Sequence, residues 1–254
     1  MHLFCPEPAD DFANCGQSNL RLDLYKCKAA LWSRRPADQP RARVKGTGSV
    51  IDIVEHINAI HRQVSQTGEE VRVVLQRSYT AEVEDVWDAL TDPERIRRWF
   101  LPISGELKVG GSFQLEGNAG GEILECEPPD RFKVTFGGPT SFVEIRLTPG
   151  PDETTNLQMD HSVPADFGGP AGALYVGPGW DGALLGLALY LTGQLGEDDD
   201  PAEMANSPEV LRFSEHSVQA WVKAIRASGL VSEEELRAAA EASMAHFSPD
   251  GSLD

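Results

Sequence analysis

Apolar residues recur along this chain with two periods, and the changes from one to the other mark out its elements. Ile51, Val54, Ile57, His61 and Val64 fall at three- and four-residue steps, which predicts an amphipathic helix over residues 50–67. From Val71 the period drops to two. Val71, Val73, Leu75, Arg77 and Tyr79 share one face of a predicted strand, and Arg72, Val74, Gln76 and Ser78 share the other. Val83, Val86, Trp87 and Leu90 return to helical spacing. Asp92 before Pro93 then supplies an N-cap and an N1 proline for a short helix carrying Ile96, Trp99 and Phe100. Alternating segments follow at Ser112–Glu116, Glu122–Glu127, Arg131–Phe136, Ser141–Thr148 and Thr154–Val163. Gly, Pro and Asp turns separate them, as expected of antiparallel strands.

The most apolar stretch is Gly177–Leu195. Pro178 and Gly179 are expected to form a turn after the Gly- and Pro-rich loop Asp166–Gly179, a segment that would gate access to whatever lies beneath. Beyond it Trp180, Leu184, Leu187 and Leu191 form one helical stripe, with Leu185 and Leu189 beside it. A helix apolar on most of its circumference is buried, or closes over an apolar space. Two further helices are predicted after the acidic break at Gly196–Pro201. The first, Pro208–Ser228, ends at Gly229; the second, Glu233–Phe247, opens with a capping box from Ser232 and Glu235.

Charge adds a division that periodicity leaves open. The 254 residues carry a net charge of −18, yet residues 1–49 are at +3, with eight Lys/Arg against five Asp/Glu. That segment lacks sustained periodicity apart from a short helical pattern near Leu20–Trp32. It is expected to be disordered or not native sequence, with translation starting at Val50. The acidic balance of the rest argues against nucleic acid or an anionic membrane as a partner. The longest uncharged run of the main helix, Gly182–Gly196, is 15 residues, too short to span a bilayer. Met1–Cys5 runs straight into Pro6 and Glu7, which is not the pattern of a secretory signal. Cys5, Cys15, Cys27 and Cys126 match no zinc or disulfide spacing, so a reduced, cytoplasmic location is expected.

A sheet of antiparallel strands followed by one long apolar helix buries both if the sheet curves around the helix. Four spaced motifs carry a resemblance: VEDVWDALTDPERIRRWF (83–100), VGGSF (109–113), GEILECEPPDRF (121–132) and GWDGALLGL (179–187). They resemble the activator of Hsp90 ATPase homologue 1-like (AHSA1-like) branch of the SRPBCC, or START-like, helix-grip superfamily. The likeness covers Val71–Gly193, and the flanking IDIVEHINAIHRQV and Trp221–Gly229 segments look like bacterial members of that branch. The resemblance implies an α+β helix-grip fold over residues 70–196, with a helical extension at 201–248.

Titratable groups that would point to an enzyme are sparse. His56 and His61 are five apart and share no helix face, and the sequence holds no metal cluster, nucleophile elbow or dinucleotide fingerprint. No cofactor and no metal are expected. The acidic residues read as solvated charge. His161, between Met159 and Val163, and Arg77 are the two polar groups on apolar strand faces. Together with Trp99, Phe100, Phe113, Phe136, Trp180, Leu184 and Leu187 they are the candidate lining of a ligand cavity of ~300–1,000 Å³. The leading expectation is a non-catalytic module that binds a small hydrophobic molecule. Two alternatives stand beside it. One is an Hsp90-type chaperone partner; the other is a cyclase- or hydrolase-like enzyme using His161 and Arg77. The C-terminal helices either cover the domain or pair with a second subunit in a homodimer.

Overall fold

The computed structural model describes residues 52–195, 199, 204 and 207–249. The readings of residues 1–49, of a start at Val50 and of the break at 196–201 therefore lie outside the described residues, save Asp199. The chain opens with α1 (Ile53–Asn58), capped by the Asp52 carboxylate, which accepts the Glu55 N–H. Strands β1 (His61–Thr67) and β2 (Glu70–Tyr79) form a hairpin. Helices α2 (Val83–Thr91) and α3 (Pro93–Ile96) follow, and Asp92 caps α3 by accepting the Glu94 N–H. Six strands come next: β3 (Ile103–Gly105), β4 (Ser112–Leu115), β5 (Gly120–Glu127), β6 (Arg131–Thr135), β7 (Phe142–Pro149) and β8 (Thr155–Pro164). Three longer helices complete the fold: α4 (Ala173–Leu191), α5 (Pro208–Ser228) and α6 (Glu233–Phe247).

The eight strands among the described residues form one antiparallel sheet in the order β1-β2-β8-β7-β6-β5-β4-β3. Its apolar face packs on α4, which gives the α+β helix-grip fold. A register shift between Ile123 and Glu125 bulges β5. The extra residue lets Ile123 and Cys126, three apart, face the same side as their partners Val134 and Phe132.

Two elements differ from the sequence pattern. The helix expected over 50–67 stops at Asn58, and His61–Thr67 is an edge strand instead. Only Val64 of that strand is fully buried, so its own residues carry almost no alternation to read. The second difference is that α4 starts at Ala173, so Gly177, Pro178 and Gly179 lie inside the helix rather than in a turn. Pro178 has no N–H to give the Leu174 carbonyl one turn back. The Ser243 hydroxyl of α6 donates to that oxygen at 2.7 Å in its place. Removing the hydroxyl with Ser243→Ala leaves a buried carbonyl unpaired and is expected to lower stability by about 1–3 kcal/mol, measurable by urea unfolding.

Helices α5 and α6 cover the face of α4 that the sheet leaves free. Trp221 is fully buried against Gly177, where an added Cβ would come within 2.3 Å of the indole. A continuous apolar core thus runs from the sheet through α4 to Trp221, Ile225 and Leu236. The residues before the hairpin and after α4 share this core with the sheet. No helix among the described residues is long and apolar enough to cross a membrane.

Candidate functional site

Between the concave sheet and α4 lies an apolar cavity of about 140 Å³. Its floor is built by residues at every second position of β7 and β8, Val143, Ile145, Leu157 and Met159, whose side chains share one face of the sheet. Phe113 and Leu115 of β4, Ile123 and Cys126 of β5, and Phe132, Val134 and Phe136 at β6 close one side. The helix contributes Trp180, Ala183, Leu184 and Leu187 at three- and four-residue steps. Of the lining residues, Leu90, Phe100, Ile103, Leu107, Cys126, Phe132, Phe136 and Trp180 are half-buried and the rest are buried. The Gly-rich segment expected to gate the cavity is absent from its wall. Two short 3-10 turns, Ala165–Phe167 and Gly169–Gly172, lead directly into α4, and Pro170, Ala171 and Gly172 are buried. No charged side chain is among the described lining residues.

The polar groups at the wall are spent on the protein itself. Trp99 Nε1 donates to the Ala89 carbonyl at 2.9 Å, and the Thr91 hydroxyl donates to the Trp87 carbonyl at 2.8 Å. Trp180 Nε1 donates to His161 Nδ1 at 3.0 Å. Indole N–H is only a donor, so Nδ1 must be the accepting nitrogen. The proton of the neutral ring therefore sits on Nε2, which donates to the Ser141 hydroxyl at 2.9 Å. The imidazole also stands edge-on to the rings of Phe136 and Trp180, with centroids 6.0 and 5.8 Å away. His161 thus lies behind the wall and fixes the orientation of Trp180.

Seven of the nine residues singled out from the sequence line the cavity: Trp99, Phe100, Phe113, Phe136, Trp180, Leu184 and Leu187. Arg77 and His161 do not. Val73, not Arg77, pairs with His161 across the sheet, so Arg77 stands four residues farther along β2, about 13 Å away at ordinary strand rise. The two polar groups therefore do not converge on one reacting atom. Arg77 instead points under α1, where its Nη2 donates to His56 Nδ1 at 2.8 Å.

That bond requires a neutral His56. Burial first, and then the Arg77 charge, lower the His56 pKa from its ordinary 6.5, against the opposing pull of Glu55 and Asp52. A depressed imidazole contributes stability that is fully present above its unfolded value and is lost as pH falls through the folded value. The protein is therefore expected to lose stability on acidification below pH 6.5, and His56→Gln to flatten that part of the profile in denaturant titrations at stepped pH.

Sequence reasoning missed a second polar centre. Asp181, read as one more solvated acid, is fully buried on α4. It accepts from Arg62 Nε at 2.9 Å, the Ser217 hydroxyl at 2.5 Å and Trp221 Nε1 at 3.0 Å. Burial pushes its carboxyl above the ordinary range, while the Arg62 charge and these donors pull it back. Arg62 Nη1 in turn donates to the carbonyls of Ile57 and Ile60 at the end of α1. One carboxylate thereby ties β1, α4 and α5 together. The one signal in the sequence was a lone acid within the most apolar run of the chain. Among the described residues, no group of three or more His, Cys, Asp or Glu side chains is placed to hold a metal ion.

A curved sheet gripping a helix over an apolar cavity defines a START-like, helix-grip protein. Residues 80–192 match the family described as activator of Hsp90 ATPase homolog 1-like protein. The crystal structure of CalU16 from Micromonospora echinospora is 37% identical, with 66% of this chain and 96% of that chain covered and a TM-score of 0.52. The solution structure of the same protein gives 36% identity, 67% and 94% coverage and a TM-score of 0.55. An HSP90 activator from Plasmodium falciparum gives 22% identity, 50% and 97% coverage and a TM-score of 0.41. No curated protein matches the chain. The chain belongs to the activator of Hsp90 ATPase homologue 1-like family.

Proposed function

We infer that the protein is a non-catalytic binding module that takes a small, uncharged apolar molecule into the cavity between its sheet and α4. The observation that carries this reading is a wall without charge, whose indole and hydroxyl donors are already bonded to the protein. A carboxylate or ammonium group inside would lose its hydration with no partner in exchange. Aromatic and aliphatic surface loses nothing and gains dispersion contacts on every side. Size narrows the class further. Apolar cavities of about 150 Å³ accept benzene or xenon, so a space of about 140 Å³ suits a single ring or a short alkyl chain. It is too small for a two-chain lipid, and smaller than the sequence led one to expect. The separation of His161 from Arg77, and the commitment of both imidazole nitrogens, favour binding over catalysis.

Toluene and benzoate offer the same ring without and with a charge. Toluene is expected to raise Tm in proportion to RT ln(1 + [L]/Kd), and benzoate to leave it unchanged. Ala183→Leu projects three further carbons into the space and is expected to abolish the toluene response while the protein still melts cooperatively. Equal responses to both ligands, or a toluene response that survives the substitution, would contradict the reading.

A further inference from the structure

Away from the cavity, beneath α1, two arginine side chains are buried side by side. Arg62 pairs with Leu75 across the β1–β2 hairpin, so Arg62 and Arg77 are diagonal neighbours on the buried face of the sheet. Their Cβ atoms are then roughly 7–8 Å apart or less. The Arg62 side chain is 6% exposed and Arg77 is 7% exposed. Each has one end engaged. Arg62 uses Nε on Asp181 and Nη1 on the Ile57 and Ile60 carbonyls, and Arg77 uses Nη2 on His56. Arg62 Nη2 and Arg77 Nε and Nη1 are buried with no partner.

The charges do not balance. Two guanidinium groups stay protonated at any ordinary pH, and the imidazole that accepts from Arg77 is neutral. Asp181 is the one carboxylate paired with the cluster, since the other buried acid, Asp160, pairs with Arg72. Glu55 and Asp52 on α1 are exposed, and among the described residues no second carboxylate lies within ion-pairing distance of either guanidinium. The face of Tyr79, 5.4 Å from Arg77, gives partial relief as a quadrupole but no charge. Water would satisfy the three spare donors and leave one positive charge uncompensated in the interior, which is expensive.

We propose that Arg62 and Arg77 together hold a small monovalent anion, of chloride size, through Arg62 Nη2 and the spare nitrogens of Arg77. An anion there completes both the hydrogen bonding and the charge of the cluster. It also joins α1 and the hairpin to the Asp181 centre, so anion binding and docking of the N-terminal elements are linked. The near-complete burial selects against larger oxyanions and organic acids.

Two measurements on the full chain test this. In the first, thermal unfolding is followed in sodium chloride and in sodium gluconate at matched ionic strength. Tm is expected to rise with chloride well beyond the gluconate control, and Arg77→Met is expected to erase the difference. Where that variant does not fold, Arg77→Gln serves, and the wild-type comparison alone remains decisive. In the second, crystals grown with sodium bromide are expected to show an anomalous peak within hydrogen-bonding distance of both Arg62 and Arg77. Identical melting in the two salts would overturn the proposal, as would bromide on the surface with none in the cluster. A bromide peak without any chloride-specific stabilisation would mean an adventitious ion only, and would overturn it equally.

Discussion

Asp181→Ala is expected to destabilise the protein by about 3–5 kcal/mol, because it strands the buried Arg62 guanidinium in the interior. Three donors lose their acceptor at once: Arg62 Nε, the Ser217 hydroxyl and Trp221 Nε1. Chemical denaturation should report the loss as a lower midpoint. The double variant Asp181→Leu with Arg62→Met removes both charges and leaves apolar groups of similar volume. It is expected to recover only the part of the loss that comes from the unpaired charge, since the Ser217 hydroxyl and Trp221 Nε1 remain without an acceptor. A double variant as unstable as Asp181→Ala alone would show that the centre matters for a different reason.

Trp221→Ala is expected to cost about 3–5 kcal/mol as well, through a large void at the α4–α5 contact. The indole is fully buried and lies flush on Gly177, where no side chain is present to fill the space it would leave. Trp221→Phe separates two contributions. It keeps most of the packing and loses only the bond to Asp181, so a smaller loss of about 1–3 kcal/mol is expected. Both variants should loosen α5 and α6 from α4, visible as faster amide exchange in these two helices than in β2 or β8. If the two variants are equally destabilised, the hydrogen bond and not the packing holds the helices in place.

The elements that could be read from the sequence are those whose signals are local. Asp92 and Pro93 mark the start of α3, Ser232 and Glu235 build the capping box of α6, and strict alternation marks β7 and β8. The cavity wall was legible for the same reason, since aromatic and aliphatic residues on the inner face of strands and helix can hardly avoid one another. What could not be read depends on partners far along the chain. β1 owes its strand form to pairing with β2, and its residues mostly face water or other helices. Pro178 is tolerated in α4 because Ser243 replaces the missing donor from 65 residues away. Asp181 and Arg62 look like ordinary surface charges until the fold brings them together across 119 positions. Arg77 and His161 sit on suitable strand faces, but strand register, which places Val73 opposite His161, separates them. Cavity volume likewise depends on how closely α4 approaches the sheet. It depends too on the turn after α3, which packs against α4 at Gly186, where a Cβ would meet the Trp99 carbonyl at 2.6 Å.

The space under α4 is proposed to take an uncharged single-ring molecule. Anomalous scattering from crystals grown with iodobenzene tests it most directly. An iodine peak is expected inside the cavity, in van der Waals contact with Trp180, Leu184 and Ile145. Iodine found only at the surface, with the cavity unoccupied at saturating iodobenzene, would contradict it.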